Sequence, residues 1–554
     1  MAGKLTDVLV EKKLITAQQF AEAHKIQEKT RQFIGTILLT KGWIGPDALL
    51  ETLGQYYQLP WMRLTKVQIS PQAVAEVPLK IASHYKIMPL KLQDSILTVA
   101  ISNPQDVRVM DELRVTLKQR FRIEPVIATE DDILQAQTQH YGLGAETVSE
   151  ILSDRAKQGA TSGQAPEDDA IQEIDREDAE DASVVKLVNQ LILEAHNRRA
   201  TDIHLEPFRG KIRLRYRIDG MLHNVDVPPT MRQLFPAIIS RIKVLSNLNI
   251  VERRLPQDGR SSVKIGEQKI DLRVAVLPTP AGESVVIRIL PNHMLLGLED
   301  LGFRPEDLAR LHKVIQKPHG LIFVTGPTGS GKTTTLYACL KTINTEACKI
   351  ITVEDPIEYE LDGATQVQVK PQISFGFAEA LRSLLRHDPD VMMVGEVRDL
   401  ETVELTVRIA LTGHLVFSTM HTNDAVSALV RLTDMGVDPY LIVSSVECII
   451  GQRLVRLLCK HCKPQKVGDM ITRGEGCDRC SHTGFLGRSA IYEFLFMTPQ
   501  VRELILKKAP LDQVRRKAQE QGMRSMREDG MDRVKQGLTS VDEILRVTQE
   551  DDER

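Results

Sequence analysis

The chain has 554 residues, too many for one hydrophobic core, so three or four domains are expected. Its 71 basic and 74 acidic side chains leave a net charge of -3, so no global positive field draws it to nucleic acid, and 42% hydrophobic residues are ordinary for a globular protein. No apolar run is long enough to cross a bilayer and residues 1–13 hold no signal-peptide core, so a cytoplasmic chain with only peripheral membrane contact is expected.

Residues 5–15 (LTDVLVEKKLI) are weakly repeated at 34–44 (IGTILLTKGWI). Both copies run on into helical patterns, marked by Phe20 and by Leu49 and Leu53, which predicts two small helical hairpins. A mixed α/β segment follows over about 64–141, with 95–101 (SILTVAI) as its clearest strand. Between 158 and 182 stand nine acidic residues, one basic residue (Arg176) and no aromatics. That composition cannot bury enough apolar surface to order itself and predicts a flexible linker. Ser183 is expected to cap a helix that carries Val184, Leu187, Val188, Leu191, Ile192 and Ala195 on one stripe. Ile212, Leu214, Tyr216 and Ile218 then alternate with Lys211, Arg213, Arg215 and Arg217 before Asp219-Gly220, a strong hairpin signal. The expected organisation is an N-terminal domain over 1–145 (helical repeat 1–60, α/β part 61–145) and a linker over 146–182. A second α/β domain follows over 183–300 and a P-loop domain over 301–554, where strand and helix patterns alternate.

Gly326-Pro327-Thr328-Gly329-Ser330-Gly331-Lys332-Thr333 matches GxxxxGK[ST], between a buried-strand pattern at 321–325 and a helix that opens with Thr334. The glycines let backbone N–H groups wrap phosphates at a helix N-terminus. Lys332 is expected to reach the β/γ-phosphates and the Thr333 hydroxyl to ligate Mg²⁺. Three further strand patterns end in polar groups: 351–353 runs into Glu354 and Glu358, 391–394 into Glu396, and 415–420 into His421. A carboxylate at such a strand tip can orient or deprotonate water over a γ-phosphate.

These motifs, with EDPIE at 354–358, DPDVMMVGEVRD at 388–399 and TGHLVFSTMHTNDA at 412–425, resemble in order and wording the secretion ATPase superfamily. ATDIHLEP at 200–207 and LPQDGR at 255–260 resemble its type II secretion and type IV pilus assembly branch. The resemblance covers nearly the whole chain and implies a RecA-like ATPase core that binds ATP. It implies Glu396 as catalytic base, Glu354 and Glu358 as acidic-box carboxylates near metal and water, and His414 and His421 as a histidine box. It also implies that arginines of the second domain reach phosphate: Arg241 and Arg260 first, then Arg254 and Arg273. From the residues alone those arginines read as solvated charges. The implied machine is a homo-hexamer that drives pilus or pseudopilus assembly on an inner-membrane platform protein. A DNA-uptake or conjugation motor of the same superfamily, and a nucleotide sensor without turnover, are the alternatives.

Cys459, Cys462, Cys477 and Cys480 form two CxxC pairs, suited to a closed tetrahedral Zn²⁺ site within a module at about 452–495. Neither pair opens a helix in a βαβ setting, which argues against a redox role. His461 and His482 are substitute ligands, and Cys339, Cys348 and Cys448 read as small core residues. The knuckles favour an assembly or secretion motor over the shorter retraction motors. The N-terminal repeat resembles the domain that docks these motors to their membrane platform, and in some relatives a similar repeat binds cyclic di-GMP through an Arg-Leu-Gly opening and a closing Gln. Here the first copy has Lys4-Leu5-Thr6 with Gln27, and Lys13 where glycine is expected. The second has Phe33-Ile34-Gly35, with Tyr56 in place of Gln. These departures weigh against cyclic di-GMP and favour partner docking.

Overall fold

In the computed structural model the described residues run from 8 to 548, except 11, 31, 146, 149–150, 152–181, 266–267, 291–295, 463 and 468–469. The chain divides into two compact units, Met1–Asn292 and His293–Arg554. Among the described residues no helix is long and apolar enough to cross a membrane.

The first unit begins with the helical repeat. Leu9, Ile15, Ile34, Ile37, Leu38, Ile44, Leu49, Leu50 and Leu53 share one core. The two copies turn alike: Lys13 takes φ 58° where Gly42 takes 68°. Leu14 N donates to Leu9 O at 3.1 Å, as Trp43 N donates to Leu38 O at 3.1 Å. Lysine can therefore hold this turn, at the cost of a left-handed backbone that glycine adopts freely. Lys4, Leu5 and Thr6 lie outside the described residues. The α/β part is a three-stranded sheet of β1 (Ile87–Gln93), β2 (Ile96–Ile101) and β3 (Arg122–Ile127). The strand expected at 95–101 is β2, with Ser95 in the preceding turn at φ 63°.

Nearly all of the acidic stretch lies outside the described residues. Where the chain is described past 145, Val148 and Ile151 are buried in the core of the next layer. That layer is an antiparallel sheet of six strands in the order β6-β5-β4-β9-β8-β7: β4 (Ala200–Phe208), β5 (Lys211–Ile218), β6 (Met221–Val225), β7 (Gln257–Ile265), β8 (Gln268–Thr279) and β9 (Gly282–Ile289). The helices Ala182–Asn197 and Met231–Leu245 supply its apolar cover. The first buries the stripe read from sequence and already includes Ala182, so Ser183 sits inside its first turn rather than at the cap. Tyr216, fully buried, donates to Leu191 O at 2.9 Å and ties sheet to helix.

The second unit holds a seven-stranded sheet ordered β12-β11-β13-β14-β10-β15-β18. Its strands are β10 (Gly320–Thr325), β11 (Ile350–Glu354), β12 (Ala364–Gln368), β13 (Val391–Val394), β14 (Leu415–Met420), β15 (Val446–Leu458) and β18 (Phe485–Phe496). All pairings are parallel except β15 with β18. β10, β11, β13 and β14 are buried along their whole length, as strands covered on both faces must be. A short hairpin, β16 (Gln465–Val467) with β17 (Met470–Thr472), lies between β15 and β18. Leu298 and Leu301 pack into this unit's core, so the division between units falls before the boundary at 300 read from sequence.

Candidate functional site

Parallel strands point their C-terminal ends to one edge, and a ligand in such a sheet meets the loops that leave that edge. From β10 the chain passes through Gly326–Gly331 into the helix Lys332–Ile343. Gly326 stands at φ 151° and Gly331 at φ 87°. A Cβ on Gly326 would come within 2.4 Å of Gln452 O and 2.7 Å of Ser330 Oγ, and one on Gly331 within 2.9 Å of Gln452 Nε2. Only glycine allows this close winding beside β15. Gln452, itself 2% exposed, donates to Ser330 O at 2.8 Å and accepts from Thr335 Oγ1 at 2.7 Å. Pro327, Thr328 and Gly329 are exposed, while Ser330 is buried with its Oγ lacking a hydrogen-bond partner among the described residues. Thr333 and Thr334 are half-buried in the first helical turn.

Lys332 folds back on the loop: its Nζ donates to Gly326 O at 2.8 Å and Pro327 O at 3.1 Å. Burial pushes its ammonium down to about 8, helped by the charge of Arg453 and opposed by Glu396. Glu396 lies just beyond β13, where Gly395 N donates to Val353 O at 2.7 Å. Its carboxylate pairs with Arg398 Nη2 at 2.7 Å and lies 3.3 Å from His421 Nε2, which follows β14. Phosphate loop, Glu396 and His421 thus share the C-terminal edge of three adjacent strands, β13, β14 and β10.

Two residues of the expected set stand elsewhere. His414 precedes β14, and its carbonyl accepts from Gly320 N at 3.1 Å, at the start of β10. It is at the opposite edge of the sheet from His421, with Nδ1 held near Ile409 O at 3.1 Å, so the histidine box is split by the length of a strand. Glu354 ends β11 at the right edge but is only 3% exposed, and its carboxylate is already filled. Tyr337 donates to its Oε2, and Thr352 Oγ1 and Gln366 Nε2 donate to its Oε1 at 2.6 and 3.2 Å. In this arrangement Glu354 braces the P-loop helix rather than meeting water. Glu358 is half-buried beyond it.

The arginines belong to the first unit. Arg260 is opposite Arg273, Arg273 opposite Arg288, Arg288 opposite Asp202, and Asp202 opposite Arg217, which makes one row across five strands. The row is on the face away from the buried Leu272 and Val274. Asp202 binds Arg288 Nε at 3.0 Å and lies 3.6 Å from Arg217 Nε, so one carboxylate serves two guanidinium groups of the row. Arg241 is not brought to this row: it is on the helix Met231–Leu245, which is packed on the opposite, buried face. The exposed Arg254 lies in the loop before β7, where its guanidinium holds the half-buried Glu252 carboxyl down at about 2. Sequence reasoning missed Arg217, Arg288, Gln452 and the donors around Glu354. The alternation of arginines along β5 was visible, but the row depends on register across strands distant in sequence.

Past β15 the four cysteines gather with all their sulfurs within 4.8 Å of one another. Cys459 and Cys477 sulfurs are 3.9 Å apart and Cys462 and Cys480 3.3 Å, near the ~3.8 Å edge of a tetrahedron with ~2.3 Å Zn–S bonds. Although burial opposes it, N–H groups of Cys477 and Gly484 at 3.1 and 3.3 Å draw the Cys480 thiol down to about 7. The donor set fits a closed zinc site. Neither His461 nor His482 is in the cluster. Cys339 and Cys448 are core residues and Cys348 is half-buried.

The comparisons with known proteins agree with this geometry. The family model described as "Type II/IV secretion system protein" matches residues 177–546, and the "MshEN domain" matches 57–147. The chain is 38% identical over 571 residues, all of both chains, to the type IV pilus assembly ATPase PilB of Myxococcus xanthus. It is 37% identical to the type II secretion system protein E of Xanthomonas campestris, over 99% of this chain and 98% of the relative. Among solved structures, the Legionella pneumophila ATPase DotB superposes with a TM-score of 0.51 at 22% identity, over 65% of this chain and 95% of DotB, which supports the fold. The chain belongs to the type II/IV secretion system protein family, that of the type II secretion and type IV pilus assembly ATPases.

Proposed function

We propose that this chain is an ATP-hydrolysing motor, working as a homo-hexamer, that drives assembly of a pilus or pseudopilus fibre. The observation that carries this reading is the shared sheet edge: phosphate loop, Lys332 and the Glu396–His421 pair on neighbouring parallel strands. Backbone N–H groups of 326–331 and the Lys332 ammonium would hold the β/γ-phosphates, and the Thr333 hydroxyl would ligate Mg²⁺. Glu396 is suited to take the proton of an attacking water once ATP competes for its ion pair with Arg398. Zn²⁺ on Cys459, Cys462, Cys477 and Cys480 would be structural, clamping the end of β15 to the start of β18.

The basic row of Arg217, Arg288, Arg273 and Arg260 is the surface of the second domain whose chemistry best suits phosphate. This reading replaces Arg241 by Arg288 and Arg217. Partners would be an inner-membrane platform protein, and a cytoplasmic docking partner for the N-terminal domain. The chain would be cytoplasmic and held at the membrane through them. The relatives named for type IV pilus assembly and for type II secretion support both outputs equally.

Phosphate release by the purified chain with Mg²⁺ and ATP tests the reading. Wild type should turn over. Glu396→Gln should bind ATP yet hydrolyse it at least ~10²-fold more slowly. Near-wild-type release by Glu396→Gln would refute the choice of base.

A further inference from the structure

Next to Gln452, β15 carries Arg453 on its other face. This arginine is half-buried, and its hydrogen-bond partners among the described residues are both on one neutral residue: Nη2 donates to Asn423 O at 3.3 Å and to Asn423 Oδ1 at 3.2 Å. Its Nε is buried with no hydrogen-bond partner among the described residues, and no carboxylate among them pairs with it. Buried arginines are ordinarily matched by a carboxylate, because a desolvated guanidinium with idle N–H groups is costly. Here the cost is borne beside the phosphate loop, close enough for its charge to disfavour the Lys332 ammonium. Arg453 and Lys332 thus bring two cations to one phosphate loop, with Glu396 the carboxylate beside Lys332, and two cations at such a loop suit an anion.

The side of the loop can also be read. Asn423, which anchors Arg453, is two residues beyond His421, whose ring meets Glu396. Thr422, between them, is bonded to Thr325 at the mouth of the loop. The loop and the helix Lys332–Ile343 lie on the side of Gln452, which faces Ser330 and Thr335. The fork of Arg453 therefore lies toward the carboxylate that would activate water, where the outermost phosphate would sit.

We propose that Arg453 is a further nucleotide ligand: a guanidinium supplied by the core sheet itself that binds the terminal phosphate and stabilises charge on it during hydrolysis. The inference rests on the reading that 326–333 bind nucleotide. It requires no covalent step beyond that hydrolysis. An arginine suits this place because its idle N–H groups make a planar fork that matches phosphate oxygens.

The test is equilibrium binding of Mg²⁺ with a non-hydrolysable ATP analogue, and with ADP, to the full chain and to Arg453→Ala, Arg453→Lys and Lys332→Ala. For Arg453→Ala the analogue should bind at least about tenfold more weakly while ADP changes less than about twofold, with phosphate release reduced in step. Arg453→Lys should recover part of the affinity and little of the rate. If Arg453→Ala weakens both nucleotides equally, or leaves both unchanged, while Lys332→Ala abolishes binding, the assignment of Arg453 is overturned and the nucleotide site stands. If Lys332→Ala still binds both nucleotides at parental affinity, the nucleotide site itself is wrong. Thermal melting of Arg453→Ala completes the set. A large drop in melting temperature with equal loss of both nucleotides would mark Arg453 as a structural tie to Asn423 and likewise overturn the proposal.

Discussion

The middle of β15 and its C-terminal end support sites built on opposite principles. Near Gly451 and Gln452 the strand backs a phosphate loop whose shape is held by the protein's own bonds: Lys332 on two loop carbonyls, Gln452 on Ser330 O and Thr335. Past Leu458 the same strand delivers Cys459 to four clustered thiols, where the N–H donors that meet sulfur converge on Cys480. The first site is shaped by the protein's own bonds. In the second, sulfur packed on sulfur has little of its own to hold it, and deprotonated thiols would repel one another without a cation. On the zinc reading, one strand presents a pre-formed site and a second whose order would depend on an ion, with few residues between them.

The sharpest way to break that contrast is to remove the ion. Structural zinc supplies on the order of 10 kcal/mol to small zinc folds. Chelation, or Cys462→Ser, should therefore abolish stoichiometric zinc and open the 459–484 region to protease, while nucleotide affinity changes little. Full zinc retention by Cys462→Ser in metal analysis would be incompatible with a four-thiolate site. Unchanged protease resistance after zinc loss would erase the contrast. At the phosphate loop Lys332→Ala removes the charge and nothing that shapes the sheet. ATP turnover should fall by at least ~10²–10³-fold with the cysteine module still loaded, read by phosphate release and zinc content on the same sample. Gln452→Ala is the sharpening experiment, because Gln452 joins cradle to strand. It leaves a buried Ser330 carbonyl and the Thr335 hydroxyl without their partner, which costs roughly 1–3 kcal/mol. Urea denaturation should show that loss, with weaker ATP binding and intact zinc. Parental stability would mean that the loop holds itself.

What was legible in the sequence follows the same division. Local patterns carried the P-loop, the strand ends at Glu354, Glu396 and His421, the CxxC pairs and the helical repeat, because each is set by spacing within a few residues. The turn at Lys13 looked like a departure from glycine, yet the backbone closes it as it does at Gly42. The misplaced residues are those whose position depends on which end of a strand they occupy or on register. His414 and His421 flank one strand and so belong to opposite edges. Glu354 reads as a free acid until Tyr337 and Gln366, distant in sequence, surround it. Arg241 and Arg260 read alike as basic residues of one domain, and the layering of helix on sheet puts them on different faces. Gln452 and Arg453 were visible only as the run before the cysteines, and nothing local tells that a strand passes under the phosphate loop.

The smallest expected effect concerns the proton on Lys332. Burial holds this ammonium down to about 8, against 10.5 for a free lysine, with Arg453 adding to the depression and Glu396 opposing it. The charged form is thus disfavoured in the nucleotide-free protein. The sign for folding follows: the unfolded chain binds the extra proton between pH 8 and 10.5, so Lys332 costs stability below pH 8 and that cost fades as pH rises through this window. For ATP the sign is reversed, because bound phosphates surround the ammonium with negative charge and restore its proton. Binding at pH 8 should therefore take up about half a proton, and little at pH 6.5, where Lys332 is already charged. Phosphate oxygens, with a second pKa near 6, are already ionised at pH 8 and do not mask the signal. Raising pH from 7 to 9 should weaken ATP about tenfold, since each unit above the free-state pKa costs ~1.4 kcal/mol of protonation before binding. Titration calorimetry at pH 8 in two buffers of different ionisation enthalpy reads the uptake directly. Equal apparent enthalpies would mean that Lys332 is fully charged before the nucleotide arrives, and the cradle would then be less desolvated than its burial implies. Arg453→Ala, by removing one source of the depression, should shrink the uptake, and that links the proton on Lys332 to the neighbour on β15.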